Sequence, residues 1–500
     1  AEYSGAEAQN PWHGSISNIR VVKGTAVYTS SFRPPTEPLT NITNTKLLCC
    51  NNSSTTGSTV TPGTITANGD PTASTDSPFD DPAGFVFGEN EDQNVIKCGS
   101  YVGNGSATGP EIYLGWEPQF LILKGDSDWH MVDCMRGVVT GGNDARLFPN
   151  GSGAEAPMDF ISFTSTGFKL THAAGFVNGD GTNFVYIAIR RSDGYCGKPP
   201  ELGTGVFAMD TGNASSTIPT FDSGFPVDFA ILRNPGVVDT NHTGARLTGT
   251  GGMRTNGTNA ETDYGSQWAW DSNAGWVANS NYQSTTQSWM WKRHAGFDVV
   301  AYTGTNEAGL AIPHSLNKVP EMLWVKTRTS PDRDWTVYHK GLNGGTNPED
   351  YNLRLNTTAA EGDSTGMWND TAPTNTHFFL GDATFTNNDG TNYIAMLFAS
   401  VDGISKVGSY SGQSSTITVT TGFSPRFIFV KNVSASGDWW VFDTLRGWGS
   451  GNDQSGLRLN LTNAQEEYDD WGGPTSTGFT MINDNTVNGS GYEYIYYAHA

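Results

Sequence analysis

Lys97-Cys-Gly-Ser-Tyr101-Val-Gly103 recurs far downstream as Lys406-Val-Gly-Ser-Tyr410-Ser-Gly412, and Phe120-Leu-Ile-Leu-Lys124 recurs as Phe427-Ile-Phe-Val-Lys431. Trp129-x3-Asp133-x2-Arg136-Gly137 then matches Trp439-x3-Asp443-x2-Arg446-Gly447, and Thr-Ser-Thr-Gly-Phe ends at both Phe168 and Phe479. The order of these motifs is the same in both places. Between them, a third copy keeps Tyr302-x-Gly304, Met322-Leu-Trp-Val-Lys326, Trp335, Leu353-Arg-Leu-Asn356 and Tyr393-Ile-Ala-Met-Leu-Phe398. A second copy keeps little beyond Phe229-Ala-Ile-Leu-Arg233 and Ala245-Arg-Leu247. Self-similarity at a fixed period marks one structural unit used repeatedly, and a period of about 100 residues is the size of a domain rather than a solenoid turn.

The apolar runs Phe120 to Leu123 and Phe427 to Val430 are short, aromatic or branched, and bounded by Pro, Gly, Asn and Ser. Those are strand signals. With 61 Gly, 24 Pro and 16% charged residues, no window sustains the apolar spacing of a three-turn amphipathic helix. The expected fold class is all-β, a row of tandem antiparallel, jelly-roll-like β-sandwich modules with almost no helix. The unbroken apolar runs are expected to be central strands, with Trp129 and Trp439 packing across the core of their own modules. The expected boundaries are 1–50 for an N-terminal sandwich fragment, 51–94 for a Ser/Thr/Gly/Pro-rich linker or arm, then repeats at 95–191, 192–293, 294–400 and 401–500.

A formal charge of −22 repels nucleic acid and anionic lipid, so neither is an expected partner. Five Cys are too few and too odd a number for a disulfide scaffold. Cys98 aligns with Val407 and Cys134 with Thr444, as replaceable strand residues, and the vicinal Cys49-Cys50 pair bridges only with strain. No run of 18 apolar residues and no signal-peptide pattern occurs.

The N-terminal stretch from Trp12-His-Gly-Ser-Ile-Ser-Asn-Ile-Arg-Val-Val-Lys-Gly-Thr-Ala-Val-Tyr28 to Thr45-Lys-Leu-Leu-Cys49-Cys50 reads as strand, turn, strand, an extended Pro segment at Arg33-Pro34-Pro35, and strand. It resembles the closing strands of a laminin-G-like, concanavalin-like jelly roll of the kind found in bacteriophage structural proteins. That resemblance implies further strands upstream of Ala1 or from a neighbouring subunit, and therefore self-association, as a homotrimer, because open strand edges need partners. After it, Thr61-Pro-Gly-Thr64 and Ser77-Pro78-Phe79-Asp80-Asp81-Pro82 are turn-forming clusters. The third repeat, with Trp335-Thr-Val-Tyr-His-Lys-Gly-Leu342 and Gly390-Thr-Asn-Tyr-Ile-Ala-Met-Leu-Phe398, is similar to tandem repeats in tail-fibre and appendage proteins of bacteriophages, especially of marine and cyanobacterial hosts. What the two resemblances imply is a virion-surface structural or adhesion protein, without catalytic residues, contacting other virion proteins and host-surface glycan. The competing classes are a polysaccharide-degrading tailspike and a cellular surface adhesin.

Chemistry-bearing motifs are sparse. There is no His-Glu-x-x-His, Cys-x-x-Cys, Gly-x-Ser-x-Gly elbow or phosphate loop. A carboxylate pair could act as glycosidase acid and nucleophile, but Glu466-Glu467-Tyr-Asp469-Asp470 reads as a solvated loop. The loops Asn178-Gly-Asp180-Gly-Thr-Asn183 and Asn387-Asn-Asp389-Gly-Thr-Asn392 have hairpin chemistry, with Asp180 and Asp389 the candidate calcium ligands. Trp268, Trp270, Trp276, Trp289 and Trp291 crowd the second copy beside Asn273 and Asn279. Such indoles either stack on sugar rings or, placed two apart on a strand, pack a core or a subunit interface.

Overall fold

A computed structural model describes residues 16–29, 38–52, 54–68, 71–73, 95–192, 202–293, 295–330, 332–449, 454–468 and 470–500. Trp12, Arg33 to Pro35, the Ser77 to Pro82 cluster, Cys196 and Asp469 lie outside the described residues. The chain divides into two compact units, Ala1–Glu89 and Asn90–Ala500.

The first unit holds a three-stranded antiparallel sheet of Ile19–Val22, Thr45–Cys49 and Ser58–Val60, in that order. The strand expected at Ala26 to Tyr28 does not form. Gly24 turns the chain at φ 83°, and Ile19–Val22 pairs instead with Thr45–Cys49, from Ile19 opposite Cys49 to Val22 opposite Thr45. The sheet also runs on into the segment expected to be linker, through Ser58–Val60. Cys49 and Cys50 are thiols, with sulfurs 3.9 Å apart.

The second unit is all-β, its α-helix among the described residues limited to the four-residue Gly175–Asn178 and Thr365–Trp368, with a few short 3-10 turns. Each copy contributes one large antiparallel sheet in which the closing strand lies between the first and second. In copy 4 the order is Ser405–Ser411, Glu493–His499, Phe427–Asn432, Trp439–Asp443, Gln454–Arg458, Glu466–Tyr468. Copy 3 repeats it from Phe297–Thr303 to Gly362–Asp363, and copy 2 repeats it from Phe207–Thr211 to Thr262–Asp263 despite its divergent sequence. Copy 1 has the first four strands, Ile96–Val102, Asn183–Arg190, Pro118–Lys124 and Trp129–Asp133. Register confirms the alignment: Lys124, Lys326 and Lys431 stand opposite Val185, Ile394 and Ile495, and Cys98 and Val407 stand opposite Ile187 and Tyr497.

Every large sheet packs one face on a smaller sheet of its own copy, as Phe427–Asn432 shows. Ile428 and Val430 point into a core shared with Phe479 and Met481 of copy 4. Phe427 and Phe429, on the alternate face, enter a different core with Trp324 and Phe398 of copy 3 and Trp289 and Trp291 of copy 2. The run is unbroken because both faces are buried. Copies 2, 3 and 4 are thus one body around a shared aromatic core rather than modules on a string.

Three sets of equivalent hydrogen bonds close that body into a ring. The Glu261 N–H of copy 2 donates to Arg328 O of copy 3 (2.8 Å), Glu361 N–H to Val433 O of copy 4 (2.9 Å), and Gln465 N–H back to Pro235 O of copy 2 (2.7 Å). The strand-end cations run the other way: Lys326 Nζ to Thr258 O (3.0 Å), Lys431 Nζ to Thr358 O (3.5 Å), and Arg233 Nη2 to Thr462 O (2.9 Å). A third set joins Trp335 Nε1 to Arg254 O, Trp439 Nε1 to Arg354 O and Asn241 Nδ2 to Arg458 O, at 2.8, 2.9 and 3.2 Å. Each set visits all three copies once, which is threefold closure within a single chain.

Candidate functional site

The five tryptophans do not form a sugar platform. Trp268, Trp270 and Trp276 fill the core of copy 2 itself, where Trp268 stacks on Tyr264 with centroids 4.2 Å apart. Their indole N–H groups are used internally, that of Trp270 donating to Gly249 O at 2.7 Å and that of Trp276 to Ser288 Oγ at 3.0 Å. Trp289 and Trp291 belong to the shared core, and Trp289 Nε1 donates to Asp443 Oδ2 of copy 4 at 3.0 Å. None of the five offers a ring face to solvent, because three lie in the core of copy 2 and two in the shared core. The carbohydrate reading of these residues is therefore corrected, while two of them do make an interface, between copies of one chain.

The two Asn/Asp-rich loops are held in place by their first asparagine. Asn178 and Asn387, which open them, are buried clips: Asn178 Nδ2 donates to Ser106 O and Gly109 O, both at 2.7 Å, and Asn387 Nδ2 to Glu307 O (2.9 Å) and Gly381 O (2.6 Å). Copy 4 repeats the clip with Asn488, donating to Ser415 O at 2.9 Å. Asp180 and Asp389 sit exposed at the turn tips, and no three His, Cys, Asp or Glu side chains converge as a metal site among the described residues. Glu466 and Glu467 are exposed; Arg458 Nη2 pairs with Glu466 Oε1 at 2.5 Å.

The repeated Asp-x2-Arg motif is structural. Asp133 Oδ1 accepts the Arg136 N–H at 2.8 Å while Oδ2 takes Arg136 Nε at 2.8 Å, and Asp443 holds Arg446 in the same way at 2.9 and 2.7 Å. This caps the turn that follows the strand. Asn150, Asn356 and Asn460 each accept the N–H of Trp129, Trp335 or Trp439 and donate to the preceding Asp at 2.7 Å. These carboxylates and amides hold loops in place rather than open a cleft.

A buried charge cluster, which sequence reading missed, joins copy 1 to the seam between copies 2 and 3. Arg293 of copy 2 forks onto Glu117 of copy 1 (2.7 and 2.5 Å) and reaches Asp298 of copy 3 through Nε at 2.7 Å. Arg191 lies 3.4 Å from Glu117 and 3.7 Å from Asp298. Burial alone raises the Asp298 pKa, but the Arg293 and Arg191 guanidiniums outweigh it and hold the carboxyl below the usual carboxylate range. The Thr140 carbonyl of copy 1 also accepts Arg328 Nη1 of copy 3 at 2.7 Å. Glu117 and Asp298 carry no motif, because the cluster joins residues up to 176 positions apart, from Glu117 to Arg293.

Docked by this side, copy 1 leaves one face open. Val185 and Ile187 are 50% and 40% exposed, whereas their register equivalents Ile394, Met396, Ile495 and Tyr497 are at most 1% exposed. Ile96 and Val102 on the same sheet are also exposed. Trp129 is half-buried, where Trp335 and Trp439 are sealed in the shared core. The expectation that Trp129 and Trp439 pack within their own sandwiches is thereby corrected: they belong to the opposite face.

A family profile described as "Domain of unknown function (DUF7483)" matches residues 17–192 and 229–500. The chain belongs to this family. The DUF7483 match breaks over residues 193–228, where copy 2 begins, although Phe207–Thr211 there forms the same first strand as in the other copies. No curated protein and no solved structure matches the chain.

Proposed function

We propose that this protein is a non-enzymatic structural subunit of a bacteriophage particle, in a tail fibre or other appendage at the virion surface, where it meets other virion proteins. One observation carries the reading: the side chains that recur from copy to copy cap turns, clip loops and join one copy to the next. Lys326, Lys431 and Arg233, the strand-end cations, all reach the carbonyls of a neighbouring copy. A chain whose recurrent residues are committed to mechanical connection suits a load-bearing element. The phage assignment itself leans on the resemblance of the N-terminal strands and of the third repeat to phage proteins. Glycan contact through the five tryptophans is not part of the proposal, since they are buried.

The test is immunogold electron microscopy of purified phage particles with antibodies against residues 95–500. Gold on projecting fibres or appendages is the expected result. Particles that carry the protein in the capsid interior, or lack it, overturn the reading.

A further inference from the structure

We propose that three copies of this chain associate through the open sheet face of copy 1, closing a second ring built on the contacts that join copies 2, 3 and 4. The first ground is the face itself. In three modules of the same strand order it is buried against its own kind, and only in copy 1 does it meet solvent.

The second ground is that copy 1 retains both halves of each ring contact. In copies 2, 3 and 4 the carbonyl that receives the strand-end cation lies two residues after Asn256, Asn356 or Asn460, and the amide that donates lies five residues after it. Copy 1 keeps this spacing as Asn150-Gly-Ser152-Gly-Ala-Glu155, with Ser152 and Glu155 exposed. Lys124 ends the equivalent strand, and its Nζ reaches only Gly125 O and Ser127 O of its own loop. In the proposed trimer Lys124 Nζ donates to the carbonyl of Ser152 of the partner subunit. Glu155 N–H donates to the carbonyl of Asp126 of the partner subunit, and Trp129 Nε1 to that of Phe148 of the partner subunit. Donor and acceptor sit on different parts of copy 1, so the contact is head-to-tail, and the internal ring shows that this geometry closes at three.

The third ground concerns strength. Copy 1 offers Ile122, Val185 and Ile187 where copies 3 and 4 offer Trp324 or Phe429, Ile394 or Ile495, and Met396 or Tyr497. Less apolar area is available, so the second ring is a reversible one between folded chains, unlike the permanent internal ring. The jelly-roll-like N-terminal strands gave a separate reason to expect a homotrimer; this face supplies its contact surface, and it does not rest on the virion reading.

Mass photometry and sedimentation velocity of the full chain decide it, with Cys98, which lies on the open face and is exposed in the single chain, as a labelling probe. The expected result is a concentration-dependent species of three times the 53.7 kDa chain mass. Ile187→Lys and Val185→Glu, at exposed positions that leave the monomer's circular dichroism and melting unchanged, are expected to raise the midpoint concentration by at least roughly tenfold. Maleimide modification of Cys98, read by peptide mass spectrometry, is expected to slow as the trimer forms. A chain monomeric at micromolar concentration overturns the proposal, whatever the reactivity of Cys98. So does a trimer indifferent to both substitutions. A trimer found on no phage particle would overturn the virion reading and leave this one standing.

Discussion

Copy 1 and copy 3 share a strand order, the Asn-bracketed tryptophan turn and a lysine at the end of the second strand, yet one face of the sheet has opposite fates in them. In copy 3 that face carries Trp324 and Met396 into a core shared with two other copies. In copy 1 it carries Ile122 and Ile187, and water covers part of it. The same contact set can therefore be satisfied within the chain or left for another chain, and the size of the side chains at the centre of the face differs accordingly. Copies 3 and 4 place Trp324 and Phe429 there and copy 2 sets Ile231 opposite Trp289, whereas copy 1 sets Ile122 opposite Ile187, a pair also tolerable in water.

The largest expected effect comes from truncating the same register position in the two copies. Trp324→Ala should cost about 3–5 kcal/mol of stability, as large-to-small changes at fully buried sites do. Ile122→Ala, measured on the monomer, should cost less, about 1–2 kcal/mol, because the side chain is smaller and part of its surface is already hydrated. Urea unfolding followed by tryptophan fluorescence reads both, and equal costs would remove the distinction between the faces.

Next in size is the charge cluster that anchors copy 1. Arg293→Met leaves the buried Glu117 and Asp298 with Arg191 as the remaining cation between them, at a cost of about 3 kcal/mol. Copy 1 should then unfold in a separate, earlier transition, visible as selective proteolysis between residues 95 and 192. A single transition moved as a whole would mean that copy 1 is held elsewhere.

Acid should destabilise the chain, in part through the internal ring. Burial pushes His339 and His499 down to about 3, so both are neutral in the folded chain. The unfolded chain takes up those protons near pH 6.5; the stability tied to each histidine is therefore complete above that pH and lost as the pH falls toward 3. At pH 5 the loss is about 2 kcal/mol for each. His339 accepts the Gly341 N–H on Nδ1 (2.9 Å) and donates to Tyr496 O of copy 4 through Nε2 (3.3 Å), so a proton on Nδ1 breaks the Gly341 contact and puts a buried charge beside the seam. Melting curves at pH 7 and pH 5 should differ, and His339→Gln should reduce the difference; an unchanged difference would exclude His339 as a source.

The smallest effect is expected at the strand-end lysines. Burial lowers the Lys431 amino group to about 8, and carbonyls of Thr358 and Asn432 hold it. Lys431→Met, which strands those carbonyls, should cost about 1–2 kcal/mol. Lys124→Met should stay within about 0.5 kcal/mol on the monomer. Comparable losses at the two positions would show that Lys431 acts inside its own copy.

Much of this architecture could be read before any coordinates. Strand-end lysines, the pairing of Cys98 with Val407 and the all-β class follow from local patterns that leave marks in every copy. Ring closure leaves no such mark, because its acceptors are backbone carbonyls of Thr258, Thr358 and Thr462, which any residue supplies. Copy 2 illustrates the cost of reading side chains alone: Asn241 and Arg233 do there what tryptophan and lysine do elsewhere. The tryptophans misled for a related reason. Alternation tells which residues share a face but not whether that face meets water, and here Trp289 and Trp291 face neighbouring copies while Trp276 faces inward.

Backbone hydrogen exchange tests the central claim most directly, since one equivalent amide in each copy reports on closure. At a concentration where the chain is monomeric, peptides covering Glu261, Glu361 and Gln465 should exchange slowly at those amides, and the peptide covering Glu155 should exchange fast. Raising the concentration should slow Glu155 alone. Four amides exchanging alike in the monomer, or a Glu155 amide indifferent to concentration while the chain self-associates, would contradict the account.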